Sequence, residues 1–149
     1  MRAIIQRVKK ASVTVNNEAV AGIDKGLLVF IGIAHNDTVA DRAYLINKIV
    51  KLRIFEDLDG NMNRSITDVE GEILLVSQFT LYGDVKKGNR PSFIQAMKPD
   101  EAKNFYQQFV VEFQSEYVKV ETGIFQADMD VALINSGPVT ILIDSHKSI

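Results

Sequence analysis

The sequence predicts a mixed α/β fold of the α+β kind: a twisted, partly rolled mixed β-sheet with two amphipathic helices packed on it. Three observations lead there. Apolar runs such as Leu27 to Ala34 and Ile73-Leu74-Leu75-Val76 are too short for membrane spans and suit strands buried on both faces. Two longer segments, from about Thr38 and from Pro99, repeat apolar residues at helical spacing. Strand-like segments outnumber the helical ones, so the helices must cover a sheet and not each other.

The elements follow in order. Residues 2–8 and 11–15 read as two strands, Val13 and Val15 alternating with Ser12, Thr14 and Asn16. Asn16-Asn17 makes a turn into a strand at 19–23, and Asp24-Lys25-Gly26 makes the next. After the run to Ala34, Asp37 or Thr38 caps a helix reaching about Leu52. Its predicted buried face is Val39, Ala43, Ile46 and Val50, flanked by Tyr44 and Ile49. Ile54-Phe55 leads to the tight-turn dipeptide Asp59-Gly60. Residues 72–82 read as one strand. Pro99 suits a first helical position, Asp100 and Glu101 favour a helix N-terminus, and Ala102, Phe105, Tyr106, Phe109, Val110 and Phe113 form its stripe. Strands are expected near 118–122, 129–135 and 139–144.

Composition narrows the functional classes. At 149 residues the chain is expected to form one domain, residues 1–149. It can bury enough surface to need no staple. It has no cysteine, which excludes disulfides, thiolate catalysis and Cys-based zinc sites. Gln6 and Arg7 interrupt the N-terminal apolar residues too early for a signal-peptide core, so a cytoplasmic protein with no membrane association is expected. The net charge of −2 counts against extensive wrapping of nucleic acid but not against a local grip. The basic clusters Lys9-Lys10, Lys86-Lys87 and Arg90 read more simply as solvated surface. Asp57-Leu58-Asp59-Gly60-Asn61 places its glycine too early for a calcium loop and reads as a turn. No ligand-spaced His and carboxylate set and no phosphate-binding glycine loop is present, so neither metal nor cofactor is expected.

Two segments carry polar groups where buried strands would continue with apolar ones. In Ser77-Gln78-Phe79-Thr80-Leu81 a regular strand puts Gln78 and Thr80 on one face and Ser77 and Phe79 on the other. Hydroxyls at a strand end often do no more than satisfy nearby backbone groups. Two hydroxyls and an amide within four residues raise a functional reading. Hydroxyl nucleophiles need a base, and neither His35 nor His146 sits in a triad pattern. Backbone N–H groups arranged as an oxyanion site would need none. In Asn135-Ser136-Gly137-Pro138-Val139-Thr140, the proline marks a bulge, an edge or a cis bond, and residue types alone leave the choice open. A cis bond there could pair carbonyl acceptors for an ammonium group, with Asn135 and Thr140 as braces.

Together these two segments closely resemble the signature motifs of the D-aminoacyl-tRNA deacylases of D-tyrosyl-tRNA deacylase type. The resemblance runs from end to end. It includes Gln6-Arg7-Val8, Ala11-Ser12-Val13-Thr14-Val15, Gly26-Leu27-Leu28-Val29, Arg53-Ile54-Phe55, Asn61-Met62-Asn63, Arg90-Pro91-Ser92-Phe93 and the segment Thr122 to Met129. It implies that family's fold and a homodimer with active sites at the subunit interface. It implies hydrolysis of the ester of D-aminoacyl-tRNA, a chiral proofreading step in translation. Gly137 and Pro138 would hold the substrate's α-amino group through carbonyls, rejecting L side chains by clash and admitting glycine, including glycine mischarged on tRNA-Ala. Ser77, Gln78, Phe79 and Thr80 would line the reacting ester, Thr80 acting either as nucleophile or through its segment's N–H groups. Arg7 would brace the Gly-Pro loop and Met129 would wall the pocket, although an ion pair and plain core packing explain them equally well. A non-catalytic dimeric binding module is the competing class.

Overall fold

The computed structural model describes residues 1–149. Eight strands, two α-helices and one 3-10 turn follow in the order β1 (Arg2–Val15), β2 (Glu18–Ile23), β3 (Gly26–Gly32), α1 (Val39–Lys51), β4 (Phe55–Glu56), β5 (Met62–Arg64), β6 (Glu72–Ser77), the turn Phe79–Tyr82, α2 (Pro99–Glu116), β7 (Val120–Thr122) and β8 (Asp130–Asp144). The main sheet has the order β2-β1-β3-β6-β7, with β8 on the other side of β1. The β3–β6 and β6–β7 pairs are parallel and the remainder antiparallel. β4 and β5 form a separate small hairpin.

β1 rolls the sheet. Its first half pairs with β3, its second half with β2, and nearly its whole length with β8. Two predicted strands, 2–8 and 11–15, are therefore one. Register shifts beside Val8 absorb the break in alternation that the exposed Lys9-Lys10 pair introduces.

The continuous apolar runs are explained by two cores. Leu27, Val29 and Ile31 of β3 and Ile73 and Leu75 of β6 face the helices, against Leu45, Ile49, Phe109 and Phe113. Leu28, Leu74 and Val76 point into the rolled side with Val8, Val13 and Ile23. Removing a buried phenylalanine such as Phe109 typically costs about 3–5 kcal/mol, so α2 is firmly docked.

α1 starts where expected: the Asp41 carboxylate accepts from the Thr38 N–H at 2.7 Å and its hydroxyl at 2.8 Å. Its buried face differs from the expected one. Arg42, Leu45, Ile46 and Ile49 are buried, while Val39 is exposed. The face turns because Arg42 reaches α2, with Nη2 2.8 Å from Glu112 and its guanidinium 4.5 Å from the Phe105 ring centre. In α2 the predicted stripe holds through Ala102, Tyr106, Phe109 and Phe113.

Two further expectations change. The predicted strand 72–82 stops at Ser77 and tightens into the 3-10 turn. The predicted strands 129–135 and 139–144 are one strand, β8, running through Pro138. β8 pairs only with β1, so its outer edge has no ladder for the missing proline N–H to break.

Candidate active site

The end of β6 builds the first half of the site. The Gln78 N–H donates to Ile31 O at 2.7 Å, holding the strand end against β3. The chain then coils: Leu81 N–H donates to Gln78 O and Gly83 N–H to Thr80 O. Gly32 permits this. A Cβ there would lie 2.9 Å from Leu81 Cβ and 3.2 Å from Gln78 O, so a larger residue would push the turn off the sheet. The Arg2 Nη1 caps the other end, donating to Leu81 O at 3.0 Å, with its guanidinium 4.6 Å from the Tyr82 ring centre. Burial, with the Asp37 and Asp144 carboxylates nearby, raises the Tyr82 phenol well above its ordinary pKa, so it is neutral. The first two donors of the turn, the Phe79 and Thr80 N–H groups, have no acceptor inside it.

Ser77, Gln78 and Phe79 line a cleft of about 620 Å³ whose other walls include Phe93, Met97, Phe125 and Met129. Phe79 is 57% exposed and meets Phe93 edge-on at 5.0 Å between ring centres. Met129 lies over Gly123, where a Cβ would come within 2.6 Å of its Sδ, so the cleft wall depends on that glycine. Thr80 sits beside the cleft, exposed, and its Oγ1 accepts from Gln78 Nε2 at 2.5 Å. Gln78 and Thr80 do meet, but through the turn and not across a strand face. Neither the Ser77 nor the Thr80 hydroxyl bonds a histidine or carboxylate.

Gly137 and Pro138 stand elsewhere, in the middle of β8, both exposed and outside the cleft lining. The peptide bond between them is cis, and Gly137 has φ 122°. Arg7 is the brace. It is buried, its Nε donates to Ser136 O at 3.0 Å and its Nη1 to Ile54 O at 2.7 Å, and its Nη2 lies 3.9 Å from Glu56 Oε1. A Cβ on Gly137 would lie 2.8 Å from Arg7 Nη2. Thr140 braces the far side, donating to Gln6 Oε1 at 2.6 Å. No side-chain bond holds Asn135. One chain therefore gathers Ser77, Gln78, Phe79, Thr80 and Met129 at one place and Arg7, Gly137 and Pro138 at another.

Sequence reasoning missed one cluster. The Asp37, Asp41 and His146 ligand atoms lie within 4.8 Å of one another. His146 Nε2 is 2.7 Å from Asp37 Oδ1, which also accepts from the Met1 ammonium, and Asp37 Oδ2 accepts from Ala34 N–H. Asp37 is thus already neutralised by groups of the chain. Asp37 and His146 lie 109 positions apart, so no local spacing announces them. Of the far cleft wall, Phe93 lay in a segment of the family resemblance and Pro99 at a predicted helix start, but Ala96 and Met97 between them had no motif.

The family model described as D-Tyr-tRNA(Tyr) deacylase matches residues 4–144, which takes in both motif segments and their braces. This chain belongs to that deacylase family. A D-aminoacyl-tRNA deacylase of Halothermothrix orenii is 58% identical over 147 residues, covering 99% of each chain. One from Thermus aquaticus is 57% identical over 147 residues, covering 99% of this chain and 97% of its own. Among solved structures, a c-Myc DNA Unwinding Element Binding Protein superposes with a TM-score of 0.92 at 41% identity, covering 97% of this chain and 98% of that one. The rolled sheet with two helices is therefore the deacylase fold.

Proposed function

We propose that this chain hydrolyses the ester joining a D-amino acid to tRNA, releasing free amino acid and tRNA. Aminoacylated tRNA is the substrate partner. The observation that carries the reading is the cleft at the end of β6, in a chain matched along residues 4–144 by a deacylase family model. The turn at Phe79–Tyr82 offers two N–H groups that have no acceptor inside it, and the Ser77 and Thr80 hydroxyls lack a base. Main-chain donors aimed at the developing oxyanion suit that arrangement better than a hydroxyl nucleophile. Water then attacks the ester carbonyl carbon, and the bond to the ribose oxygen breaks as that oxygen takes a proton. The ribose hydroxyl beside the ester is the group we assign to help activate the water.

The separation of the two residue groups supports a homodimer in which Gly137–Pro138 of the partner subunit reaches the cleft, Arg7 acting as brace. Carbonyls there would hold the α-ammonium and set a wall where an L side chain would point. Glycine would pass that wall, so tRNA-Ala mischarged with glycine is a further substrate in this reading. We place the activity in one domain, residues 1–149, acting in the cytoplasm. No helix is long and apolar enough to cross a membrane.

The test is release of tyrosine from matched D- and L-tyrosyl-tRNA, with EDTA in a parallel reaction. Release from the D form, resistant to EDTA, with the L form spared, is expected. Release of both would remove the chiral wall. Release of neither by folded protein would favour the binding-module reading, in which direction the structural neighbour named for binding a DNA element also points.

A further inference from the structure

The cleft is continuous with a basic loop that the chemistry above does not use. From Gly83 to Lys98 the chain carries Lys86, Lys87, Arg90 and Lys98 against the single carboxylate Asp84, in a chain whose net charge is −2. The loop leaves directly from the Phe79–Tyr82 turn and returns at Phe93, which lines the cleft, as does Lys98. Both of its ends are thus fixed to the site.

The loop is held in shape. Asp84 and Ser92 exchange backbone hydrogen bonds of 2.8 and 2.9 Å, clamping its base. The Asp84 carboxylate accepts from Lys86 N–H at 2.8 Å, so the one acid serves the loop's own backbone. Gly88, at φ 147°, turns the tip, with its N–H directed to Val85 O. Lys86, Lys87 and Arg90 all lie beyond the clamp and are exposed. None forms an ion pair within the chain, whereas Arg7 and Arg42 do. The cleft lining includes the carboxylate Asp128, and the first turn of α2 carries Asp100 and Glu101; none forms an ion pair with the loop.

Resting on the tRNA-ester reading of the cleft, we propose that the loop 84–92 grips the phosphates of the RNA strand leading into the cleft, through Lys86, Lys87 and Arg90. Folded back on itself, the segment between Asp84 and Ser92 extends at most about 12 Å from its clamp. At about 3.4 Å of rise per nucleotide of one strand, that spans roughly three phosphates. Cations that contact phosphates position a strand without reading its bases. The loop therefore favours the end of any tRNA, and the cleft supplies selectivity for what is esterified to it.

The test uses the full chain with Lys86→Gln, Lys87→Gln and Arg90→Gln combined, after circular dichroism has verified folding. Two substrates are compared from 50 to 200 mM salt: D-tyrosyl-tRNA and D-tyrosyl-adenosine, an ester without phosphates. For tRNA, KM is expected to rise with kcat unchanged. The slope of log(kcat/KM) against log salt should become shallower by about 2, or about 0.7 for each lost contact. The gap between wild type and variant should then narrow about 20-fold across that range. The adenosine ester should be cleaved equally by both proteins. An unchanged tRNA slope would overturn the proposal, as would an equal loss on the adenosine ester, which would mean that the loop only shapes the cleft. Binding of uncharged tRNA by fluorescence anisotropy reads the same contrast without turnover. A wild-type protein that binds tRNA in a loop-dependent way yet cleaves neither ester would overturn the catalytic reading and leave this one standing.

Discussion

Replacing Arg7 with alanine should separate the brace from the motif it holds. The guanidinium is buried and donates to two main-chain carbonyls, Ser136 O at 3.0 Å and Ile54 O at 2.7 Å. Hydrogen bonds from a charged group contribute roughly 1.5–3 kcal/mol each, and the carbonyls left behind lose their partner. The pair with Glu56, at 3.9 Å and with that carboxylate 62% exposed, adds less than about 1 kcal/mol. A groove lined by Arg7 and Ser136 lets water rehydrate part of what is lost, so the low end of the range applies. The expected destabilisation is about 3 kcal/mol. With an m-value near 2 kcal/mol/M in urea, the unfolding midpoint falls by about 1.5 M. Arg7→Lys keeps the charge but not the fork that spans both carbonyls, and should recover about half of the loss. Urea titration monitored by circular dichroism, at constant m, measures both. In our reading of the site, the Lys variant also turns over L-tyrosyl-tRNA relatively faster, because the Ser136–Gly137 segment loses its hold. An alanine variant within about 0.5 kcal/mol of wild type would refute the brace.

The remaining predictions concern the turn and the acid limb. Thr80→Ala should lower kcat less than tenfold if the main chain stabilises the oxyanion, and by orders of magnitude if the hydroxyl attacks; single-turnover kinetics on D-tyrosyl-tRNA decides. Stability should fall as pH drops from about 4 to 2. Burial tends to raise the Asp41 pKa, but hydrogen bonds from Ser145 and from the Thr38 backbone and hydroxyl prevail and lower it to about 2. Its charged form therefore supports the fold above its ordinary pKa and is lost below it. Asp144 is lowered as well, so Asp41→Asn should flatten part of that limb and not all of it, read as urea midpoints against pH.

Much of the fold was legible because its signals are local. Pro99, Asp100 and Glu101 mark the start of α2, and the stripe through Phe109 and Phe113 marks its buried face. What was not legible depends on partners. The stop at Ser77 follows from the room that Gly32 leaves for Leu81 and Gln78, a contact between β3 and a residue run some 46 positions later. The rotation of α1 follows from Arg42 finding Glu112, 70 positions away. The unbroken course of β8 follows from an unpaired outer edge, which residue types do not reveal.

The site divides the same way. Ser77-Gln78-Phe79 was conspicuous because polar groups interrupt a buried run, whereas Arg7 stood out only through the family resemblance. Ser77, Gln78 and Phe79 line the cleft, and Arg7 bonds Ser136 O beside the Gly-Pro pair. The part of the far wall between Phe93 and Pro99, with the half-buried Ala96 and Met97, was invisible because apolar residues in an irregular segment have no period to detect. Nor could spacing show that Gly137–Pro138 and the cleft belong to different places on one chain. That separation carries the strongest physical argument here. Arg7 and Thr140 hold an exposed glycine–proline pair rigid on an unpaired edge strand, at a cost in ordering that nothing in the same chain uses. In the reading we propose, this rigid exposed motif enters the cleft of a second copy, so that the ester and the chiral wall would meet only when two chains do.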